Sequence, residues 1–402
     1  WGQVGNANVP CFRFLAPVTA ENTHYNFGTD GGQTGWSTGA YPSRLANPEL
    51  KWETSEQFNV GVDARFINSR LALTTDFYIK KTIDWLINAP TFATSGVREK
   101  LINGGDVKNT GVEVSLTWND NIGKDFHYNI SGNFAYNHNK VINIPTPDGI
   151  NHGPENQVYT NAEEYYRAEN GHALGYFWGF KTAGIFQNQQ EINDWIAAGN
   201  GILQSNVQPG DVKYVDINHD GTINADDKVD LGNGMPKYTF GLNLGCEWKG
   251  FDFSMNFIGA AGFKIVQSYR DPSSSQGNYS RAILNRWTGE GTSNTMPRVT
   301  YGDVGNWIFS DLYTQKGDYI RLQNLTLGYD FKRLISCKGI SKLRLYVQAQ
   351  NLFTLTKYDG MDPAIGSYNG NDGNSGDSWV SAVDLGYYPH PRIFIIGANI
   401  AF

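Results

Sequence analysis

The chain has 402 residues, with 39 acidic and 32 basic side chains and a formal net charge of −7, so it has no basic surface typical of nucleic-acid binding. Aromatic residues make up 14% of the chain, there are 46 glycines, and charged residues are only 18%, a composition typical of β-rich proteins with many turns. No apolar run approaches the ~18 residues of a transmembrane helix. Cys11, Cys246 and Cys337 are too widely spaced to predict a disulfide framework or a metal site.

The first predicted strand follows a long irregular segment. Residues 1–51 are rich in Gly, Asn, Pro and Thr and predict a loop region, with Trp1 and Gly2 as the tail of a preceding strand. From Thr54 to Phe66 apolar residues alternate with polar residues and glycine. Because successive side chains of a strand point to opposite faces, this pattern predicts a strand with one apolar and one polar face.

Eight further strands with the same alternation follow, which gives nine in all. The clearest pair is the hairpin of Tyr238–Trp248 and 251–257, joined by Lys249 and Gly250. A change of parity near Gln323 and Asn324 predicts a β-bulge. The other predicted strands begin at Leu71, Val112, Phe126, Tyr319, Leu343 and Phe394.

Alternation alone fits either a soluble sandwich or a membrane barrel, and two regularities favour the barrel. Short turns alternate with long loops, as in outer-membrane barrels. Every strand that enters a short turn is predicted to end in an aromatic residue, which indicates an interfacial girdle. The short turns are 67–70, 119–125, 249–250 and 333–342, and the aromatic residues are Phe66, Trp118, Trp248 and Phe331, with Phe402 at the terminus.

The predicted fold is therefore all-β, an antiparallel transmembrane β-barrel in the bacterial outer membrane. Residues 1–51 would form an extracellular loop region and residues 52–402 the C-terminal part of the barrel. The long loops 139–237, 259–318 and 354–391 would be extracellular and the short turns periplasmic.

Six sequence motifs resemble the C-terminal part of SusC/RagA-type TonB-dependent transporters, and they occur in the order found in that family. They are WGQVGN (1–6), NPELKWE (47–53), GGDVKNTGVE (104–113), GDVKYVDINHDG (210–221), DYIRLQNLTLGY (318–329) and QNLFTLTKY (350–358). The resemblance implies a barrel of about 22 strands with a plugged lumen. It also implies a SusD-like surface lipoprotein as partner and uptake of glycans or peptides powered by the TonB complex.

Nine strands would leave two open edges, which lipid does not tolerate. We therefore expect the remaining N-terminal part of the same transporter, with roughly thirteen more strands and the plug, to lie upstream of Trp1. The TonB complex would act through that part, and outer-membrane lipid would surround the barrel. The alternatives are a passive porin and a secreted carbohydrate-binding or glycosidase β-domain.

One loop carries a pattern of metal-ligating residues. Residues 216–227, DINHDGTINADD, match the calcium-loop pattern D-x-[DN]-x-[DN]-G. The predicted ligands are Asp216, Asn218, Asp220, the Thr222 carbonyl and Asp227. Aspartate rather than glutamate at the twelfth position has a shorter reach, which leaves Mg²⁺ or an empty site open beside Ca²⁺. The alternative is a surface loop rich in Asx turns.

Loop aromatic residues are the other candidates, and Trp178, Trp307 and Trp379 are predicted to stack on sugar or peptide substrates. The alternative for each is a small hydrophobic core inside a large loop. The seven His residues show no H-E-x-x-H spacing and no nucleophile partner, so no catalytic residue is predicted and the chain is not expected to be an enzyme.

Overall fold

Strands dominate the computed structural model of the chain. The structure describes all residues except 6–11, 13, 21–23, 27–35, 91–92, 98, 154, 157, 160–161, 270–271, 273–276, 301–303, 336–338 and 367–378. Cys11 and Cys337 lie outside the described residues. Among those that are described, no helix is long and apolar enough to cross a membrane.

The first strands in chain order are β1 (Gly2–Gly5), β2 (Val18–Thr19), β3 (His24–Asn26), β4 (Trp36–Thr38), β5 (Tyr41–Pro42), β6 (Thr54–Phe66), β7 (Leu71–Ile83), β8 (Leu86–Pro90), β9 (Glu99–Asn103), β10 (Asp106–Ile122), β11 (Phe126–Asn143) and β12 (Ile150–His152). They are followed by β13 (Tyr166–Glu169), β14 (Tyr176–Gly179), β15 (Thr182–Ile185), β16 (Val212–Tyr214), β17 (Val229–Asn233), β18 (Tyr238–Trp248), β19 (Phe251–Ala261), β20 (Lys264–Gln267), β21 (Thr314–Lys316), β22 (Tyr319–Asp330), β23 (Lys342–Thr356), β24 (Val383–Asp384) and β25 (Ile393–Ala401). Within the described residues the helices are α1 (Gln189–Ala197) and the 3₁₀ segments Ala93–Ser95, Ala225–Asp227, Arg281–Asn285, Asp311–Tyr313 and Phe331–Arg333.

One antiparallel sheet organises the chain. Its strand order is β1-β6-β7-β10-β11-β18-β19-β22-β23-β25, ten strands in the part of the chain that the structure describes. The nine predicted strands are all present. The tenth, β1, pairs with β6 through Gly2 and Gln57, as expected for a strand that precedes the loop. The sheet is not closed, because β1 and β25 form its edges and are not paired with each other in the described structure.

The register aligns the apolar residues of neighbouring strands. A single row of directly paired residues crosses nine strands and contains Phe66, Leu71, Trp118, Ile130, Leu244, Met255, Leu325, Ala349 and Phe394. A neighbouring row is polar and contains Thr117, Ser131, Asn243, Asn256 and Asn324. The register shifts beside Asn324, between β19 and β22 and between β22 and β23, which confirms the predicted bulge.

On the apolar face of this sheet, large side chains of the described residues are exposed rather than buried in a core. Val60 is 53% exposed, Leu345 is 44% exposed and Ile396 is 87% exposed. A soluble sandwich would bury such residues against a second sheet, whereas a membrane barrel turns them to lipid. The exposure of this face therefore excludes the sandwich and agrees with a partial barrel.

The aromatic residues predicted to end the strands do not all lie at strand ends in the structure. Strand β10 continues past Trp118 to Ile122, because the polar residues 119–121 still pair with β11. Phe331 lies in the 3₁₀ segment that follows β22, where its ring is 4.9 Å from that of Tyr329. Tyr329 in turn lies 4.5 Å from Phe251, so aromatic rings do cluster at the turn end of β19 and β22.

The hydrophobic core lies in the long connections instead. We call residues 84–105, 144–237, 262–318 and 357–392 the loop lobe. It contains small sheets, β12-β13-β14-β17, β15-β16, β21-β20-β24 and β8-β9, and helix α1, whose N-cap Asn188 accepts a hydrogen bond from the Glu191 backbone. Its largest buried side chains are aromatic, among them Tyr165, Tyr166 and Phe177. Burial of these rings against one another forms the core of the lobe.

Candidate functional site

The loop lobe contains a cavity of about 380 Å³ beside Trp307, a size typical of small-molecule sites. The carbonyl of Trp307 accepts a hydrogen bond of 2.7 Å from the Tyr313 hydroxyl, which fixes the segment that carries the indole ring. Residues that line the cavity include Tyr269, Tyr279, Asn278, Gln315 and Asp359. Of the three predicted substrate-binding tryptophans, Trp307 lines this cavity.

A buried carboxylate anchors one side of the cavity. Asp384 is 1% exposed, and its Oδ2 atom accepts hydrogen bonds of 2.6 Å from both the Tyr269 and Tyr358 hydroxyls. The backbone amides of Gly386 and Tyr387 donate to its Oδ1 atom at 2.9 and 3.1 Å. Burial, reinforced by the hydrogen bond to Asp384, raises the pKa of both tyrosines. The two hydroxyls therefore stay protonated and hold the Tyr269 ring in the cavity wall.

Trp178 and Trp379 lie elsewhere in the lobe. The Arg167 guanidinium lies 4.1 Å from the centre of the Trp178 ring, so one face of that indole takes part in a cation–π contact. Trp379 packs edge-on against Tyr166 at 4.9 Å and against Trp85 at 6.1 Å. These contacts agree with the alternative of a core inside a large loop, and substrate binding by these two residues stays a prediction.

The five predicted metal ligands lie in one compact loop between β16 and β17. Asp216 and Asp227 are buried, whereas Asn218, Asp220 and Thr222 are exposed. The Asn218 side-chain oxygen accepts from the Asp220 backbone amide at 2.9 Å, and the Asp220 side-chain oxygen accepts from the Thr222 backbone amide at 2.8 Å. These are the Asx-turn contacts that the alternative interpretation predicts.

The two buried carboxylates of this loop hold its backbone in place. Asp227 accepts from the backbone amides of Ile217, Asn218 and Asn224. Burial raises the pKa of Asp227, but these hydrogen bonds outweigh it and the pKa lies below its usual value. In the described structure no three His, Cys, Asp or Glu side chains are grouped as they would be around a metal ion. A carboxylate has about four acceptor positions, so Asp227 could still coordinate a metal ion. The metal site stays a prediction.

Sequence reasoning missed most of the cavity wall. Tyr269 and Asp384 meet across 115 residues of chain, and Gln267 meets Asp359 across 92 residues. Neither pair belongs to a motif with a fixed spacing. The parallel pairing of β20 with β24, which brings Tyr269 close to Asp384, is a property of the folded lobe alone.

Comparison with known proteins identifies the family. Residues 12–352 match the family described as TonB dependent receptor-like, beta-barrel. The chain belongs to this family. The TonB-dependent receptor P3 of Formosa agariphila is 29% identical over 100% of this chain and 39% of that receptor. The TonB-dependent receptor SusC of Bacteroides thetaiotaomicron is 28% identical over 100% of this chain and 37% of SusC.

A solved structure of the RagAB peptide transporter has the same fold, with a TM-score of 0.74 and 25% identity over 100% of this chain and 40% of the matched chain. The resemblance to SusC and RagA is therefore confirmed, and so is the outer-membrane β-barrel. The TonB-dependent receptor chain described here spans about two fifths of the length of these relatives.

Proposed function

We propose that this chain is the C-terminal barrel portion of a TonB-dependent transporter that imports oligomeric nutrients, glycans or peptides. A SusD-like surface lipoprotein would be its partner. The plug, the remaining strands and the contact with the TonB complex would be supplied by the rest of the same transporter. The matched relatives are more than twice as long as this chain, which supports that division.

The contrast between the two faces of the ten-stranded sheet carries the proposal. One face is apolar and uncovered, as described above. The other holds polar side chains that bond to one another across the strands, such as Thr117 with Ser131 at 2.9 Å. Arg344 donates to both oxygens of Asp252 on this face, with Nε 2.7 Å from Oδ1 and Nη2 bonded to Oδ2. A wall between lipid and a wet lumen needs this arrangement.

The loop lobe supports a receptor role. Outer-membrane barrels carry short turns on the periplasmic side and long loops outside. We infer that the turn at Lys249 and Gly250 is periplasmic and that the loop lobe is extracellular. A lipoprotein partner would then sit over loops 139–237 and 259–318, above the cavity at Trp307.

Two alternatives are less well supported. Membership of the TonB-dependent receptor family argues against a secreted carbohydrate-binding or glycosidase domain. A passive porin would share the barrel, but a folded lobe with its own aromatic core adds nothing to simple diffusion. The family consists of transporters, and we propose no catalytic role for the chain.

The test is uptake by cells that carry the full-length transporter. Fluorescent oligosaccharides and peptides would be supplied with and without an uncoupler of the proton gradient, and a tagged transporter would be purified in mild detergent to identify bound lipoproteins. Uptake that stops with the uncoupler, together with a co-purified lipoprotein, supports the proposal. Uptake that continues unchanged would favour the porin, and an absence of uptake for every probe would contradict import of oligomers.

A further inference from the structure

The cavity beside Trp307 has a polar wall that is already held in position. Gln267 in β20 and Gln315 in β21 extend toward the same carboxylate, that of Asp359. Gln315 Nε2 lies 2.5 Å from Asp359 Oδ1, and Gln267 Nε2 lies 3.3 Å from the same oxygen. The Asp359 backbone amide donates in return to Gln315 Oε1 at 3.2 Å. A ligand that uses this wall would therefore meet groups that need little reordering.

Asp359 keeps one oxygen available. Both amides converge on Oδ1, and Oδ2 accepts no hydrogen bond from the part of the chain that the structure describes. Asp359 itself is exposed. A carboxylate oxygen is a strong acceptor for a ligand hydroxyl, because charge-assisted hydrogen bonds are about twice as strong as neutral ones.

The other described groups that line the cavity are uncharged. Among the described lining residues Asp359 is the one charged side chain. Asn278 and Asn285 add amides, and Trp307 and Tyr279 add aromatic rings. An anionic ligand would be repelled by Asp359, and no cation among the described lining residues offsets the repulsion. An apolar ligand would desolvate Asp359 without giving it a partner.

We propose that this cavity binds an uncharged sugar unit and discriminates against anionic ones. Hydroxyl groups of the ring would donate to Asp359 Oδ2, and the carbon face of the ring would lie against an aromatic side chain. Lining amides both donate and accept, so they can complete the hydrogen bonds of a polyhydroxylated ring. This inference rests on the proposed import function and narrows its substrate to neutral glycans taken up through Asp359, Gln315 and Trp307.

The test is calorimetric binding to the purified full-length transporter in detergent. The probes are neutral hexasaccharides of glucose, xylose and mannose, the anionic hexagalacturonate, and hexa-alanine as a neutral peptide. We expect at least one neutral hexasaccharide to bind at least tenfold more tightly than hexagalacturonate and hexa-alanine. Asp359→Asn, which keeps the shape and removes the charge, should weaken that binding about tenfold or more and reduce the discrimination against hexagalacturonate. Trp307→Ala should also weaken it.

Asp194→Asn is the matched control, because Asp194 is an exposed carboxylate in α1 outside the cavity, and it should leave binding unchanged. Thermal unfolding of each variant separates lost binding from lost folding, and Asp359→Glu provides a second variant that retains the charge. Equal binding of neutral and anionic sugars, tight binding of hexa-alanine, an unchanged affinity in Asp359→Asn, or no binding of any probe would each overturn this assignment. If cells take up the oligomers in an energy-dependent way but Asp359→Asn binds them as tightly as the wild type, the sugar site at Asp359 is wrong. The proposed transport function would still stand.

Discussion

Leu244 and Asn243 are neighbours in β18 that face opposite environments. Leu244 is paired with Ile130 on one side and Met255 on the other, within the apolar row of the sheet. Asn243 accepts a hydrogen bond from the Asn256 side chain on the polar face. A shift of one residue in the register would exchange these two environments along the whole strand.

This pair gives a direct test of the membrane interpretation. Leu244→Arg should destabilise the folded barrel in lipid by about 2–4 kcal/mol, because it puts a charge against hydrocarbon. The matched variant Asn243→Arg should cost far less, because its charge meets the lumen. Urea unfolding of the full-length transporter in lipid vesicles measures both. Equal damage from the two variants would indicate that both faces are packed, as in a soluble core.

The hairpin turn after β18 gives a second prediction. Lys249 and Gly250 both have positive φ, 44° and 94°, as the tight turns of hairpins require. A Cβ atom on Gly250 would lie 2.9 Å from Arg333 Cδ. Gly250→Val should therefore lower the free energy of unfolding by about 1–2 kcal/mol or more. Lys249→Asn, which tolerates positive φ, should be neutral or stabilising. Equal effects of the two variants in the same unfolding assay would contradict this account of the turn.

The sheet could be predicted from the sequence because its signals are local. Alternation with a period of two marks the strands, and the turn at Lys249 and Gly250 determines the register of its hairpin. Even the bulge at Asn324 leaves a local trace as a change of parity. The ends of the strands were less predictable, because β10 keeps pairing through polar residues beyond Trp118.

The site was harder to predict because its contacts are long-range. Trp307 could be named from its residue type, but the same argument named Trp379, which packs in the aromatic core. What separates them is the position of segments distant in sequence, such as Asp384 beside Tyr269. Residue type identifies groups that can stack, and the fold of the lobe decides which of them line a cavity.

A third prediction concerns pH. His152 in the loop lobe lies between two carboxylates, with Nδ1 2.8 Å from Glu164 and Nε2 3.0 Å from Asp148. The hydrogen bond to Glu164 is the main cause that raises the pKa of His152 to about 8, and burial and the nearby Arg167 oppose it. Asp148 and Glu164 have lowered pKa values, so both stay ionised near neutral pH.

Because its folded pKa is raised, His152 stabilises the lobe fully below its ordinary pKa of 6.5, and this contribution is lost as the pH rises through about 8. Hydrogen exchange of the β12 and β13 amides, corrected for the intrinsic rate at each pH, should show protection falling between pH 6.5 and 9. His152→Gln should remove this pH dependence while the β10–β11 amides stay protected. If the wild type and His152→Gln show the same pH profile, His152 is not the origin of the pH dependence.

The last prediction concerns the loop 216–227. We propose that it binds Ca²⁺ in a structural role through Asp216, Asn218, Asp220, the Thr222 carbonyl and Asp227. Extracellular calcium modules bind with dissociation constants of about 10⁻⁴–10⁻³ M. At a hundredfold excess of Ca²⁺ over that constant, binding would stabilise the loop by about 2.7 kcal/mol. Hydrogen exchange within the loop of the full-length transporter should therefore slow sharply when Ca²⁺ replaces EDTA.

Asp216→Asn separates a metal from a purely hydrogen-bonded loop. Asp216 accepts hydrogen bonds from the backbone amides of His219 and Gly221, so its replacement destabilises the loop with or without metal. The informative quantity is the difference between Ca²⁺ and EDTA, which Asp216→Asn should abolish. Asp226→Asn removes an adjacent exposed carboxylate outside the proposed ligand set and should retain the difference. If exchange slows with Mg²⁺ but not with Ca²⁺, the bound ion is Mg²⁺ rather than Ca²⁺. If the wild type exchanges equally in Ca²⁺ and in EDTA, the loop binds no metal and is stabilised by its Asx turns alone.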